Sequence, residues 1–174
     1  VETLTATYTL QVDANFVSGQ YFSNGSYFSA FSSSEVIDGT YLNDYFAFGE
    51  YAAYDNGNLS ISGGQNGNDI FVFSDNAANS GNVSIINLSG NQSYIVGSNA
   101  GTNLGVFVIN DSDGDHRFSI GNNAGSDYGA FDIDVGNGKH DFKIGDDAGN
   151  YWGNFSITAG DGDQTYDIGN EAGE

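Results

Sequence analysis

Cysteine, proline and methionine are all absent from this 174-residue chain, and only three residues are basic. Without cysteine there can be no disulfide framework, and the redox compartment is left undetermined. Without proline no backbone donor is missing, which suits continuous hydrogen-bonded ladders. Twenty-three acids against three bases give a net charge of −20, which argues against nucleic acid or an anionic membrane as partner and leaves cations as the natural ones. Such acidity fits a saline setting, where salt screens self-repulsion. There is no apolar run of ~18 residues, so no transmembrane helix is expected. Val1 in place of methionine fits a chain whose export signal has been removed, or one cut at an artificial boundary. High charge and low hydrophobicity raise the question of disorder, but 14% aromatic content in regular positions outweighs it.

What the chain does contain is a repeat. Glycine recurs every 24 residues at Gly57, Gly81, Gly105, Gly129 and Gly153. One apolar pair follows each: Leu59/Ile61, Val83/Ile85, Phe107/Ile109, Phe131/Ile133 and Phe155/Ile157. A second pair follows eleven positions on: Ile70/Val72, Tyr94/Val96, Phe118/Ile120, Phe142/Ile144 and Tyr166/Ile168. Each pair skips one residue, which is the period of a strand. Glycine turns separate the pairs at Gly90, Gly114, Gly138 and Gly162, and Ala-Gly turns close the units at Ala100-Gly101, Ala124-Gly125, Ala148-Gly149 and Ala172-Gly173.

Two short strands in 24 residues cannot bury an apolar face alone, so the repeat predicts an all-β fold, a β-solenoid with two facing parallel sheets. Each coil adds about 4.8 Å along the axis, and the sheets lie about 10 Å apart. Residues 33–174 are read as the solenoid, one degenerate coil and five regular ones. Residues 1–32 are read as an N-terminal strand and an atypical entry coil.

The register can be checked with residues one coil apart. Arg117 falls beside Asp141, Lys143 beside Asp167, and Lys139 between Asp115 and Asp163. Asn68, Gln92, His116, His140 and Gln164 share a column before the second strand. Stacked amides hydrogen-bond along such an axis. The two histidines lack the further ligands zinc requires, and no nucleophile stands at a recognisable spacing, so they are read as ladder members. Leu104, Tyr128 and Trp152 form an apolar column near the closing turn, also read as structural. Carboxylate pairs such as Asp132/Asp134 follow from composition, and the chain is read as not an enzyme.

Hard oxygen ligands on glycine turns suit calcium. Asp111, Asp113, Asp115, Asp161 and Asp163 are the candidate metal ligands, with Ca²⁺ an optional rather than required partner. Gly63-Gly64-Gln65-Asn66-Gly67-Asn68-Asp69-Ile70, with one residue inserted, resembles a calcium-binding nonapeptide β-roll.

Thr3, Thr5, Thr7 and Thr9 alternate with Leu4, Ala6, Tyr8 and Leu10, a strand signal. At the other end Phe155, Ile157, Tyr166 and Ile168 stay intact as the sequence reaches Glu174 with no polar terminal coil, from which we expect another subunit to cover them. Assembly is therefore expected to involve Thr3, Leu4, Thr5, Thr7, Tyr8 and Leu10 at one end and those four apolar residues at the other.

The pattern Phe-x-Ile-x-x-Gly-x-Gly-x-x-x-Phe-x-Ile-Gly resembles that of curlin, a bacterial functional amyloid, over roughly residues 57–174. The resemblance implies a secreted subunit that polymerises outside the cell into a biofilm fibre. The expected function is a secreted structural subunit that self-assembles head to tail into an extracellular filament. The alternative is a calcium-dependent adhesin or β-roll module of a larger secreted protein. Ice binding is disfavoured, because no column of the repeat is threonine.

Overall fold

The computed structural model describes residues 21–24, 34–64, 66–87 and 89–173. The proposed donor segment Thr3, Leu4, Thr5, Thr7, Tyr8 and Leu10 lies outside them. Among the described residues there are thirteen strands and no helix: β1 (Tyr21–Asn24), β2 (Ser34–Asp38), β3 (Tyr45–Phe48), β4 (Asn58–Ser62), β5 (Ile70–Phe73), β6 (Asn82–Ile86) and β7 (Ser93–Val96) come first. They are followed by β8 (Val106–Asn110), β9 (Arg117–Ile120), β10 (Ala130–Val135), β11 (His140–Ile144), β12 (Asn154–Ala159) and β13 (Gln164–Ile168).

Odd-numbered strands form one parallel sheet in the order β1-β3-β5-β7-β9-β11-β13, and even-numbered strands form the other, β2 through β12. The chain crosses between sheets at every turn. It is a parallel β-solenoid, as the 24-residue spacing predicts.

The alternation within each strand decides what is buried. Leu59, Ile61, Phe107, Ile109, Phe118 and Phe142 point inward and are almost wholly inaccessible. A fully buried side chain of this kind contributes about 1.5–3 kcal/mol. Aromatic rings stack continuously up the odd sheet: Phe46, Phe71, Tyr94, Phe118, Phe142 and Tyr166 have successive centroids 4.8, 5.0, 4.9, 4.8 and 5.0 Å apart. Their planes differ by at most 10°. The coil rise therefore sets the ring spacing.

One predicted pair is wrong. Strand partners are 24 positions apart at every step except two, where Tyr45 faces Ile70 and Ile70 faces Ser93. The turn before β5 holds one extra residue and the turn after it one fewer. A one-residue shift exchanges the faces of a strand, so Phe71 and Phe73 are buried while Ile70 and Val72 face outward. Ile-Phe-Val-Phe is apolar on both faces, so periodicity cannot choose between them. The ring column does, because Phe71 completes the stack between Phe46 and Tyr94.

Two glycine positions show why the turns tolerate nothing else. Gly138 has φ 146°, and a Cβ there would lie 2.0 Å from the carbonyl oxygen of Gly114 one coil below. Gly125 has φ 68°, and its Cβ would lie 2.1 Å from the Asn154 carbonyl oxygen. Both sites combine a left-handed backbone with close approach of the neighbouring coil.

Candidate functional site

From β3 onward each coil carries one polar residue at the start of its odd-sheet strand, just before it or as its first residue. The one-residue shift corrects the predicted ladder: Asp69, not Asn68, occupies the column, which runs Asp44, Asp69, Gln92, His116, His140 and Gln164. All but Gln164 are buried. Asn68 lies on the exposed outer side.

Glutamine and histidine share this column because both offer an N–H at the same reach. Gln92 Nε2 donates to the Ser89 carbonyl at 3.0 Å, and His116 Nε2 and His140 Nε2 lie 3.0 and 2.9 Å from the carbonyls of Ser112 and Gly136. Each pins the turn of its own coil. The histidine rings stack 5.0 Å apart with planes 3° from parallel. The column also joins coils: the backbone N–H groups of Asp44 and Asp69 donate to Asp69 Oδ1 (2.8 Å) and Gln92 Oε1 (2.5 Å), and that of Gln92 to His116 Nδ1 (3.3 Å).

Beside this column lie Asn87 and Asp111, at the ends of the even-sheet strands. Tyr94 Oη donates to Asp111 Oδ2 at 2.6 Å, while His116 Nδ1 stands 3.4 Å from the same oxygen. Burial raises the Asp111 carboxyl above its usual range, opposed by His116 and the Tyr94 hydroxyl. Burial likewise drives the Tyr94 hydroxyl far up, aided by the Asp111 charge. Asp69 is pushed up to about 6, mainly by burial. Among the described residues its Oδ2 and both polar atoms of the Asn87 amide find no well-aligned hydrogen-bond partner, although the Asn87 amide is near enough to offset part of the Asp69 shift. Both side chains crowd the space over Gly63, where a Cβ would come within 2.6 Å of Asp69 Oδ2 and 2.1 Å of Asn87 Oδ1. Sequence reasoning placed Asp69 only within the β-roll-like segment Gly63–Ile70 and assigned no site to Asp44 or Asn87.

The outer columns run in the opposite sense. Asn68, Asn91 and Asp115 accept, through side-chain oxygens, the backbone N–H of Asn91, Asp115 and Lys139 on the following coil, at 2.8–2.9 Å. Asp75, Ser98, Asn122 and Asp146 do the same for Ser98, Asn122, Asp146 and Asn170. Asp113 Oδ1 accepts from the Asn137 N–H, and Asn137 Oδ1 from that of Asp161, both at 2.7 Å. An amide ladder at Asn76, Asn99 and Asn123, joined at 3.2 and 3.0 Å, was also not anticipated. All three asparagines are left-handed, a conformation asparagine tolerates well.

The metal candidates are thus dispersed. Asp111 is buried against Tyr94, Asp113 and Asp115 face outward as ladder acceptors, and Asp161 and Asp163 lie in the last described coil. Among the described residues no group of three or more His, Cys, Asp or Glu side chains converges to hold a metal ion. Of the register pairs, Arg117 Nε comes within 3.8 Å of Asp141 Oδ2, with both side chains exposed. Lys143 and Asp167 are strand partners. Lys139 meets Asp115 through its backbone N–H.

At the C-terminal edge of the sheets, Tyr166 and Ile168 are about half exposed, and Phe155 and Ile157 are partly buried against the core. Among the described residues, strands β12 and β13 are paired on one side only. This edge repeats the pattern that β10 and β11 present to them.

The closing turns do not support the apolar ladder expected at Leu104, Tyr128 and Trp152. Gly57, Gly105, Gly129 and Gly153 donate to Tyr54, Thr102, Ser126 and Asn150. The two residues enclosed have positive φ in every case: Asp55-Asn56, Asn103-Leu104, Asp127-Tyr128 and Tyr151-Trp152. These are type I′ turns, which favour Asn, Asp and Gly. The left-handed conformation costs a bulky side chain about 1–2 kcal/mol. Yet Leu104, Tyr128 and Trp152 are 76, 64 and 84% exposed.

Comparison with protein-family models, with curated proteins and with solved structures finds no match for this chain.

Proposed function

We propose that this chain is a secreted structural subunit, not an enzyme, whose solenoid is extended head to tail by further copies into an extracellular filament such as a biofilm or surface fibre. The observation that carries the reading is the equivalence of the last described coil to those before it. Asp161, Asp163 and Asn170 occupy positions whose counterparts one coil earlier, Asn137, Lys139 and Asp146, lie on the outer columns, and Asn137 and Asp146 accept backbone N–H groups from the next coil. Phe155, Ile157, Tyr166 and Ile168 supply the apolar counterpart. A coil of another copy would meet the surface that each interior coil already meets, with no new interface chemistry.

In this mechanism the N-terminal region of the next copy seats on β12 and β13, with Thr3–Thr9 donated as a strand. Heterologous contacts whose rotation does not close produce open filaments. Twenty negative charges per copy oppose stacking, so salt, protons or divalent cations such as Ca²⁺ favour it by screening. Negative-stain microscopy and sedimentation of the purified full chain, with and without salt and calcium, test the proposal. Filaments are expected, and the double variant Ile157→Lys/Ile168→Lys is expected to remain monomeric and folded. A chain that stays monomeric under every condition overturns the proposal. Unchanged fibres after deletion of residues 1–12 would remove the donated strand while leaving head-to-tail stacking intact.

A further inference from the structure

The type I′ turns form one corner of the solenoid, and their composition changes along it. Asp55-Asn56 closes the first, and both residues suit a left-handed backbone. The later turns enclose Asn103-Leu104, Asp127-Tyr128 and Tyr151-Trp152 in the same hydrogen-bonded geometry. The fold therefore does not require bulky side chains there, and the left-handed backbone disfavours them. Their rings are not recovered as core, since Tyr128, Tyr151 and Trp152 are all more than half exposed. Strained positions that keep exposed aromatics are candidates for binding.

We propose that Leu104, Tyr128 and Tyr151-Trp152 form a ridge that binds an extended polysaccharide through the apolar C–H faces of its pyranose rings. Successive turns are one coil apart, about 4.8 Å, close to the advance per sugar in an extended glycan. Aromatic side chains provide a flat apolar face with a polar tip. Asn103, Asp127 and Asn150 flank the ridge and offer hydrogen-bond partners for hydroxyl groups. The net charge of −20 disfavours polyanionic glycans. It admits neutral and amino-substituted sugars, which share the same ring face.

Trp152 is the only tryptophan, so its fluorescence reports the ridge directly. The full chain is titrated with a neutral β-glucan, an amino-glucan and a sulfated glucan, with emission and co-sedimentation as readouts. A blue shift and saturable binding are expected with the first, the second or both, and neither response with the sulfated polymer. Which of the first two binds identifies the source of the ring face. The variants Trp152→Asn and Tyr128→Asn restore turn-compatible side chains. Each is expected to weaken binding on the order of tenfold while thermal stability is unchanged or higher. Binding to none of the polymers, preference for the sulfated one, or full binding by both variants overturns the proposal. So does a loss of stability in both variants, since the side chains would then serve the fold. Sedimentation of the chain without polymer gives the baseline, so that glycan binding is read apart from filament formation.

Discussion

The coils around β4 and β5 and those from β8 to β13 share one fold but differ in how strictly they keep its register. In the later coils every partner is 24 positions away, and glutamine or histidine fills the inner polar column. Around β5 the spacing changes to 25 and then 23, the column is filled by Asp44 and Asp69, and neither carboxylate can donate the N–H that pins a turn in the later coils. Asp44 accepts instead, from the Thr40 N–H (2.5 Å) and hydroxyl (2.9 Å). Among the described residues Asp69 Oδ2 is left without a well-aligned partner. A solenoid thus absorbs an inserted residue by shifting one strand, at the expense of poorly satisfied buried polar atoms on Asp69 and Asn87.

The sharpest way to separate the two regions is to cut the ring stack in the regular one. Phe118→Ala removes a fully buried ring between Tyr94 and Phe142, and urea unfolding should show a loss of about 3–5 kcal/mol. A loss below ~1 kcal/mol would mean that the stack does not bind the coils together.

The irregular coil is tested by its carboxylate. With its pKa raised to about 6, Asp69 favours the folded state while protonated. That contribution is fully present below the unfolded value near 4 and is lost as pH rises through about 6. The cost at pH 7.5 is about 3 kcal/mol relative to the protonated state. Asp69→Asn keeps an acceptor for the Asp44 N–H and gives the Asn87 oxygen a donor. Unfolding at pH 7.5 should show a gain of about 2 kcal/mol that vanishes near pH 4. An equal effect at both pH values would contradict the origin assigned to it.

The smallest effect is expected at the ion pair of the regular coils. Arg117→Ser breaks an exposed contact with Asp141, and the change should be under ~0.5 kcal/mol and disappear in high salt. A larger, salt-independent loss would show that charge does more than mark register.

Much of this was legible because a coil must repeat its inward side chains. Leu59, Ile61, Phe107, Ile109, Phe131 and Ile133 could be assigned from spacing alone, since polar residues or turns flank most of them. Ile70–Phe73 could not, being apolar on both faces, and the error carried Asn68 into a column that belongs to Asp69. The polar ladders were only half visible. Composition places Asn and Asp at turns, but which oxygen meets which N–H depends on backbone direction. The corner at Leu104, Tyr128 and Trp152 was misread because those residues carry no turn signal and break the preference of the turn that holds them.

The two kinds of hydrogen-bond column give the coil an up and a down. Inside, from Asp44 to His116, a coil gives its backbone N–H to the side chain above; outside, its side chains receive N–H groups from above. Turned over, a coil would set donor against donor and acceptor against acceptor at both places. Anything built by continuing the outer columns, which run on to Asp161 and Asn170, has two chemically distinct ends and a growth direction.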